Sequence, residues 1–206
     1  MEFAPLDHIV YAGPDVDRLA AELAERTGVR PAPGGRHVGK GTRNYLMGLG
    51  GRSYLEIIGP DTPDDRNTPR FGIDRLTGPR VVTWVVEPPD LDETVRGARA
   101  AGYDPGDVGP LSRRTPDGTL LEWRLTPNPP PTLDGLAPAL IDWLDAPHPS
   151  AGGLPGVELV ALRGSHPDPD TVARALRALG ARLPVTTGEP GFEAELQTPN
   201  GRVTLR

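Results

Sequence analysis

The sequence contains no cysteine. That excludes disulfides, thiolate metal sites and cysteine nucleophiles, and it fits a reducing cytosol. No apolar run approaches the ~20 residues a membrane helix needs. The start, Met1-Glu2-Phe3-Ala4-Pro5, lacks the basic stretch and apolar run of a secretory signal. The expected location is cytoplasmic. Long basic runs are missing too, and with a net charge of −6 neither nucleic acid nor an anionic membrane is expected as a partner. There is no Ser-centred elbow, no Gly-x-Gly-x-x-Gly after a strand, no phosphate loop ending in Gly-Lys-Ser/Thr, and no His pair at helix spacing. Hydrolase, dinucleotide, nucleotide-phosphate and zincin readings therefore have no residues to stand on.

Glycine and proline are abundant, at 26 residues each, and are spread along the chain without a short repeat, which predicts many tight turns. Leu6-Asp7-His8-Ile9-Val10-Tyr11-Ala12 reads as a strand stopped by Gly13-Pro14. Asp15 stands at a cap position. Val16, Leu19, Ala20 and Leu23 then follow helical spacing up to Gly28. Residues 31–41 read as loop, and residues 42–49 and 52–58 as strands around Gly50-Gly51. Residues 59–79 turn to Pro, Asp, Arg and Thr, the composition of a linker or a surface excursion.

The same order then begins again. Residues 81–86 form a strand, Asp90 caps a helix closed by Gly102, and two strands flank Pro116-Asp117-Gly118. Pro14-Asp15-Val16-Asp17 superposes on Pro89-Asp90-Leu91-Asp92, and Tyr54-Leu55-Glu56-Ile57 on Leu120-Leu121-Glu122-Trp123. This indicates an internal repeat. A shorter third copy follows Pro129-Pro130-Pro131, which reads as a rigid linker. Residues 138–144 fit either an edge strand or a short helix.

Leu6-Asp7-His8-Ile9-Val10, residues 34–44, Tyr54-Leu55-Glu56-Ile57-Ile58-Gly59-Pro60, and Ile141-Asp142-Trp143 with His148-Pro149 together resemble the vicinal-oxygen-chelate superfamily, in its glyoxalase-like branch. The resemblance implies an α+β fold in which paired βαβββ modules form a half-open curled sheet barrel. The expected modules are residues 1–60 and 80–127, with residues 128–206 as a C-terminal extension carrying a partial βαββ repeat. It further implies ligands for a divalent metal (Zn, Mn, Fe or Ni) from the first and last strand of each module. Carried over by position, these are His8 and Glu56, then Thr83 and Glu122. Thr83 departs from the pattern, since a neutral hydroxyl is a poor ligand beside carboxylates.

From these residues His8, Glu56 and Glu122 are the expected metal ligands, with Glu122 and Glu56 as catalytic acid–base groups. A buried Glu56 among Leu55 and Ile57 is costly unless paired. An ion pair with Arg124 is the competing role for Glu122. Arg36, His37, Arg43, Asn44, Arg124, Trp143 and His148 are the expected substrate-binding residues, with the basic cluster Arg36, Lys40 and Arg43 suiting an anionic small molecule. Alternation points Trp84 and Trp123 away from the cavity. Three functions follow as expectations. The leading one is a metal-dependent lyase, isomerase or dioxygenase acting on a small oxygenated metabolite. The second is a metal-free protein that binds or sequesters a small molecule, and the third a structural or regulatory module whose cavity is vestigial. A monomer and a homodimer suit each.

Overall fold

In a computed structural model of the chain, residues 3–61, 70–126 and 132–206 are described. The first module runs β1 (Leu6–Ala12), α1 (Val16–Thr27), β2 (Ala32–His37), β3 (Thr42–Gly48) and β4 (Tyr54–Pro60). The second runs β5 (Arg80–Val86), α2 (Leu91–Ala100), β6 (Gly109–Arg114), β7 (Leu120–Leu125) and β8 (Ala139–Asp142). Each is βαβββ. Residues 32–37, expected as loop, form a strand because they pair on both sides, with β3 and with β6. The segment left open between strand and helix is strand β8.

The helices start and stop where the sequence places caps. Asp15 accepts from the Arg18 N–H and Asp90 from the Glu93 N–H, and Gly28 closes α1 in the left-handed region at φ 74°. Val16, Leu19 and Leu23 bury one face of α1 against the outside of the sheet.

The eight strands close into one barrel, ordered β1-β4-β3-β2-β6-β7-β8-β5. The ring goes further than a half-open cup because β2 joins β6 through the pairs Arg36↔Arg114 and His37↔Arg113. The first and last strands of each module run parallel, β1 with β4 and β5 with β8. Inside lies an apolar cluster that includes Val10, Tyr54, Ile58, Val85, Leu125 and Ile141. Ile73, from a short 3-10 turn at Arg70–Arg75 within the expected surface excursion, is fully buried in it. Fully burying such side chains stabilises by about 1.5–3 kcal/mol each, so any polar group sharing this interior has to be hydrogen-bonded or paired.

The third copy is fuller than expected. It comprises β9 (Glu158–His166), α3 (Pro169–Ala178), β10 (Val185–Thr187), β11 (Gly191–Thr198) and β12 (Gly201–Leu205). Its sheet order is β10-β9-β11-β12, so its first strand sits beside the second and third rather than the last. Phe192, Ala194 and Leu196 from this sheet join the core outside the barrel. Pro129-Pro130-Pro131 lies outside the described residues.

Candidate functional site

The barrel interior opens into a narrow, partly open cavity of about 50 Å³. Its wall is mostly apolar: Val10, Ile58, Val85, Leu111, Leu125, Ile141 and the rings of Tyr54, Trp123 and Trp143. Six polar side chains interrupt it: His8, His37, Thr42, Asn44, Glu56 and Arg113.

His8 and Glu56 meet because β1 and β4 are parallel neighbours, with His8 opposite Tyr54 and Val10 opposite Glu56. His8 Nε2 lies 3.7 Å from Glu56 Oε2, too far for a hydrogen bond. His37 Nε2 lies 3.5 Å from the other carboxylate oxygen. Asn44 donates from Nδ2 to Glu56 Oε1 at 2.6 Å, and its Oδ1 accepts from Arg113 Nη1 at 3.1 Å.

Behind His8 stands Asp7. Leu6 pairs with Val86 and His8 with Val85, so Asp7 is the extra residue of a β-bulge. A bulge lets two consecutive side chains approach one another, and Asp7 Oδ1 lies 2.5 Å from His8 Nδ1. Its other oxygen receives Trp143 Nε1 at 2.9 Å and His148 Nε2 at 3.0 Å. Burial pushes the Asp7 carboxyl up, but the bonds from His148, His8 and Trp143 outweigh it and hold it well below the usual carboxylate range. Asp7 is therefore an anion at neutral pH. It fixes His8 with Nδ1 backward and Nε2 toward the cavity. Tyr54 stacks on the His8 ring at 4.8 Å between centroids. Burial raises its phenol well above the usual value, so it stays neutral.

The second module lacks this chemistry. Asp15 and Asp90 are equivalent caps, and the same offset places Val82 at the position of Asp7 and Thr83 at that of His8. Val82 is likewise the extra residue of a bulge, since Val10 pairs with Thr83 and Tyr11 with Val81. Val10 faces Glu56 across β1 and β4, while Val85 faces Ala139 across β5 and β8. The counterparts of Asp7, His8 and Glu56 are thus Val82, Thr83 and Ala139. The Thr83 hydroxyl donates to the Gly135 carbonyl at 3.2 Å.

Several expected site residues fall elsewhere. Glu122 does not join His8 and Glu56: it is exposed, because β7 turns Leu121, Trp123 and Leu125 inward. The superposition of Glu56 on Glu122 matched the last strand of one module to the third of the other. Trp123, expected to point away, lines the cavity, and its ring centroid lies 5.2 Å from that of Trp143. Trp84 does point outward, donating to the Leu136 carbonyl. Arg36 pairs with Asp61 at 2.6 Å, Arg43 grips Asp17 through two bonds of 2.6 Å, and Arg124 pairs with Asp92 and Asp142. These three arginines lie outside the cavity lining. His37, Asn44 and Trp143 line it, and His148 buttresses Asp7 from behind. The residues missed from the sequence are Asp7, Tyr54 and Arg113.

The donor set does not fit a divalent ion of the expected kind. Of the four anticipated ligand positions only His8 and Glu56 offer donors to the cavity, and a buried guanidinium, Arg113, shares the space. Among the described residues no group of three or more His, Cys, Asp or Glu side chains is disposed to hold a metal. Nor, among them, is any helix long and apolar enough to cross a membrane.

A family model described as a glyoxalase-like domain matches residues 6–180. No curated protein matches the sequence. Among solved structures, a hypothetical protein from Staphylococcus aureus is similar with a TM-score of 0.63 and 12% identity, over 97% of this chain and 83% of that one. A triple mutant of 4-hydroxymandelate synthase from Streptomyces coelicolor is similar with a TM-score of 0.53 and 14% identity; the alignment takes in 100% of this chain and 63% of that one, so the present chain spans less than two thirds of its length. Methylmalonyl-CoA epimerase from Mycobacterium tuberculosis gives a TM-score of 0.45 at 18% identity, over 73% and 95% of the two chains. At such identities the likeness to the first two speaks to fold alone.

Proposed function

Since the chain belongs to the glyoxalase-like domain family, we propose that it is an acid–base enzyme of the isomerase or lyase type, moving a proton on a small oxygenated metabolite held inside the barrel. The observation that carries this reading is His8 Nε2 beside the Glu56 carboxylate at 3.7 Å, with the other His8 nitrogen on Asp7 at 2.5 Å.

The roles follow from the contacts. Glu56 is an acceptor that projects into a mostly apolar space, which strengthens its interaction with a substrate C–H or O–H. Its two oxygens are oriented by Asn44 on one side and flanked by both imidazoles. Asp7 plays the part of a buried carboxylate behind a histidine: it sets the ring orientation and stabilises the imidazolium that forms when His8 takes a proton. Glu56 takes the proton next to a carbonyl, the C–H electron pair passes to the carbonyl oxygen as an enolate, and the imidazolium of His8 delivers its own proton to that oxygen or to carbon, leaving Glu56 protonated and His8 neutral. No step here runs through a metal.

Nuclear magnetic resonance in D₂O with a panel of small aldehydes, ketones, and hydroxy- and oxo-acids tests the reading. The expected result is deuterium incorporation beside a carbonyl that falls by about 10²–10⁴-fold in Glu56→Gln. A panel that raises the melting temperature but exchanges no hydrogen would replace the enzyme with a binding protein, the reading that the apolar wall with Trp123 and Trp143 favours.

A further inference from the structure

Arg113 is the residue of the cavity that neither the fold nor the proton-transfer pair accounts for. It is 4% exposed and lines the cavity. Among the described residues its Nε has no hydrogen-bond partner, and its guanidinium makes one hydrogen bond, to Asn44, and no ion pair. A guanidinium carries five N–H donors in a planar fork. Burying one with so few partners is costly, and desolvation lowers its proton affinity accordingly.

Glu56, the carboxylate that lines the same cavity, is kept apart from it. Asn44 stands between, its Oδ1 accepting from Arg113 and its Nδ2 donating to Glu56. Glu56 thereby stays available for protons, and the fork of Arg113 stays available for something else. Gly34 shapes the same spot. A Cβ there would come within 2.2 Å of Asn44 Oδ1 and 2.5 Å of Arg113 Nη1, so the backbone of β2 leaves just enough room for this pair.

We propose that the cavity takes an organic anion whose carboxylate sits on Arg113, with its apolar body against Trp123 and Trp143. A carboxylate matches the planar fork with two parallel hydrogen bonds and supplies the missing charge. The polar group at this end then aims the rest of the ligand at His8 and Glu56. This narrows the substrate class of the proposed reaction to small carboxylic acids, and it rests on that reading only for the chemistry, not for the binding.

The test uses two pairs of near-isosteres, isovalerate against isovaleramide and benzoate against benzamide, with thermal denaturation and tryptophan emission as readouts. The carboxylates are expected to raise the melting temperature and shift the emission saturably, and the amides to bind at least about tenfold more weakly, the worth of one charge-assisted hydrogen-bonding partner. Arg113→Met should abolish the carboxylate effect without lowering the melting temperature of the ligand-free protein. Gly34→Ala, which leaves the charge in place but crowds it, should weaken carboxylate binding.

Equal binding of acids and amides would overturn the proposal. So would carboxylate binding that survives Arg113→Met, or an unfolded Arg113→Met together with unimpaired Gly34→Ala. Binding of carboxylates without hydrogen exchange would sink the enzymatic reading and leave the anion seat standing. Exchange on neutral ketones with no preference for acids would do the reverse.

Discussion

The indole Nε1 of Trp143 donates to Oδ2 of Asp7 at 2.9 Å across 136 residues of sequence. That bond ties the segment after the last barrel strand to the bulge of the first. Replacing Trp143 with Phe keeps a ring in the cavity wall and removes one of three donors to a buried anion. It should cost about 1–3 kcal/mol, read as a lower urea midpoint with an unchanged slope. No change in midpoint would show that the bond does not hold the loop.

Asp7 itself predicts a pH dependence. Its folded pKa lies below its unfolded value, so its contribution to stability is fully present above the unfolded value of about 3.9 and is lost as pH falls through the folded one. The stability gap between the native protein and Asp7→Asn should stay constant from pH 7 to roughly pH 5 and narrow only below roughly pH 4. Melting curves of both proteins across that range check it. A gap that closes near neutrality would assign it to other groups.

The two glutamates should behave differently. Glu122→Gln changes an exposed side chain on the outer face and should stay within about 0.5 kcal/mol of the native stability, with hydrogen exchange intact. Glu56→Gln should fold and lose exchange. Equal losses in both variants would restore Glu122 to the site.

Protein purified without chelators is expected to carry no stoichiometric Zn, Mn, Fe or Ni, and EDTA should leave its melting temperature unchanged. Elemental analysis of native protein alongside His8→Ala and Glu56→Ala decides this. Stoichiometric metal present in the native chain and lost from both variants would return the metal-dependent reading.

Much of the barrel was legible in the chain. Asp15, Gly28 and Asp90 announced the helices because capping is a local matter of one side chain and two or three backbone groups. His8 and Glu56 were legible because polar residues inside apolar strands demand a reason. The failures were not local. Strand β8 has four residues and follows a proline-rich stretch, so its existence depends on pairing with β5 and β7. Without it, Glu122 slid into the register of Glu56. Arg113 was overlooked because Arg113-Arg114 reads as a solvated pair; only the pairing of β6 with β2 turns one of them inward. Asp7 was hidden by strict alternation, which a bulge suspends.

The ring of strands is completed by one polypeptide, through β1 with β5 at one seam and β2 with β6 at the other. Every wall of the cavity is consequently present at any dilution. Exchange of modules between copies, which would need an open seam to invade, has no free barrel edge among the described residues to start from. The properties of the cavity should therefore be indifferent to how many chains associate, and whatever association occurs has the outer surfaces to act upon.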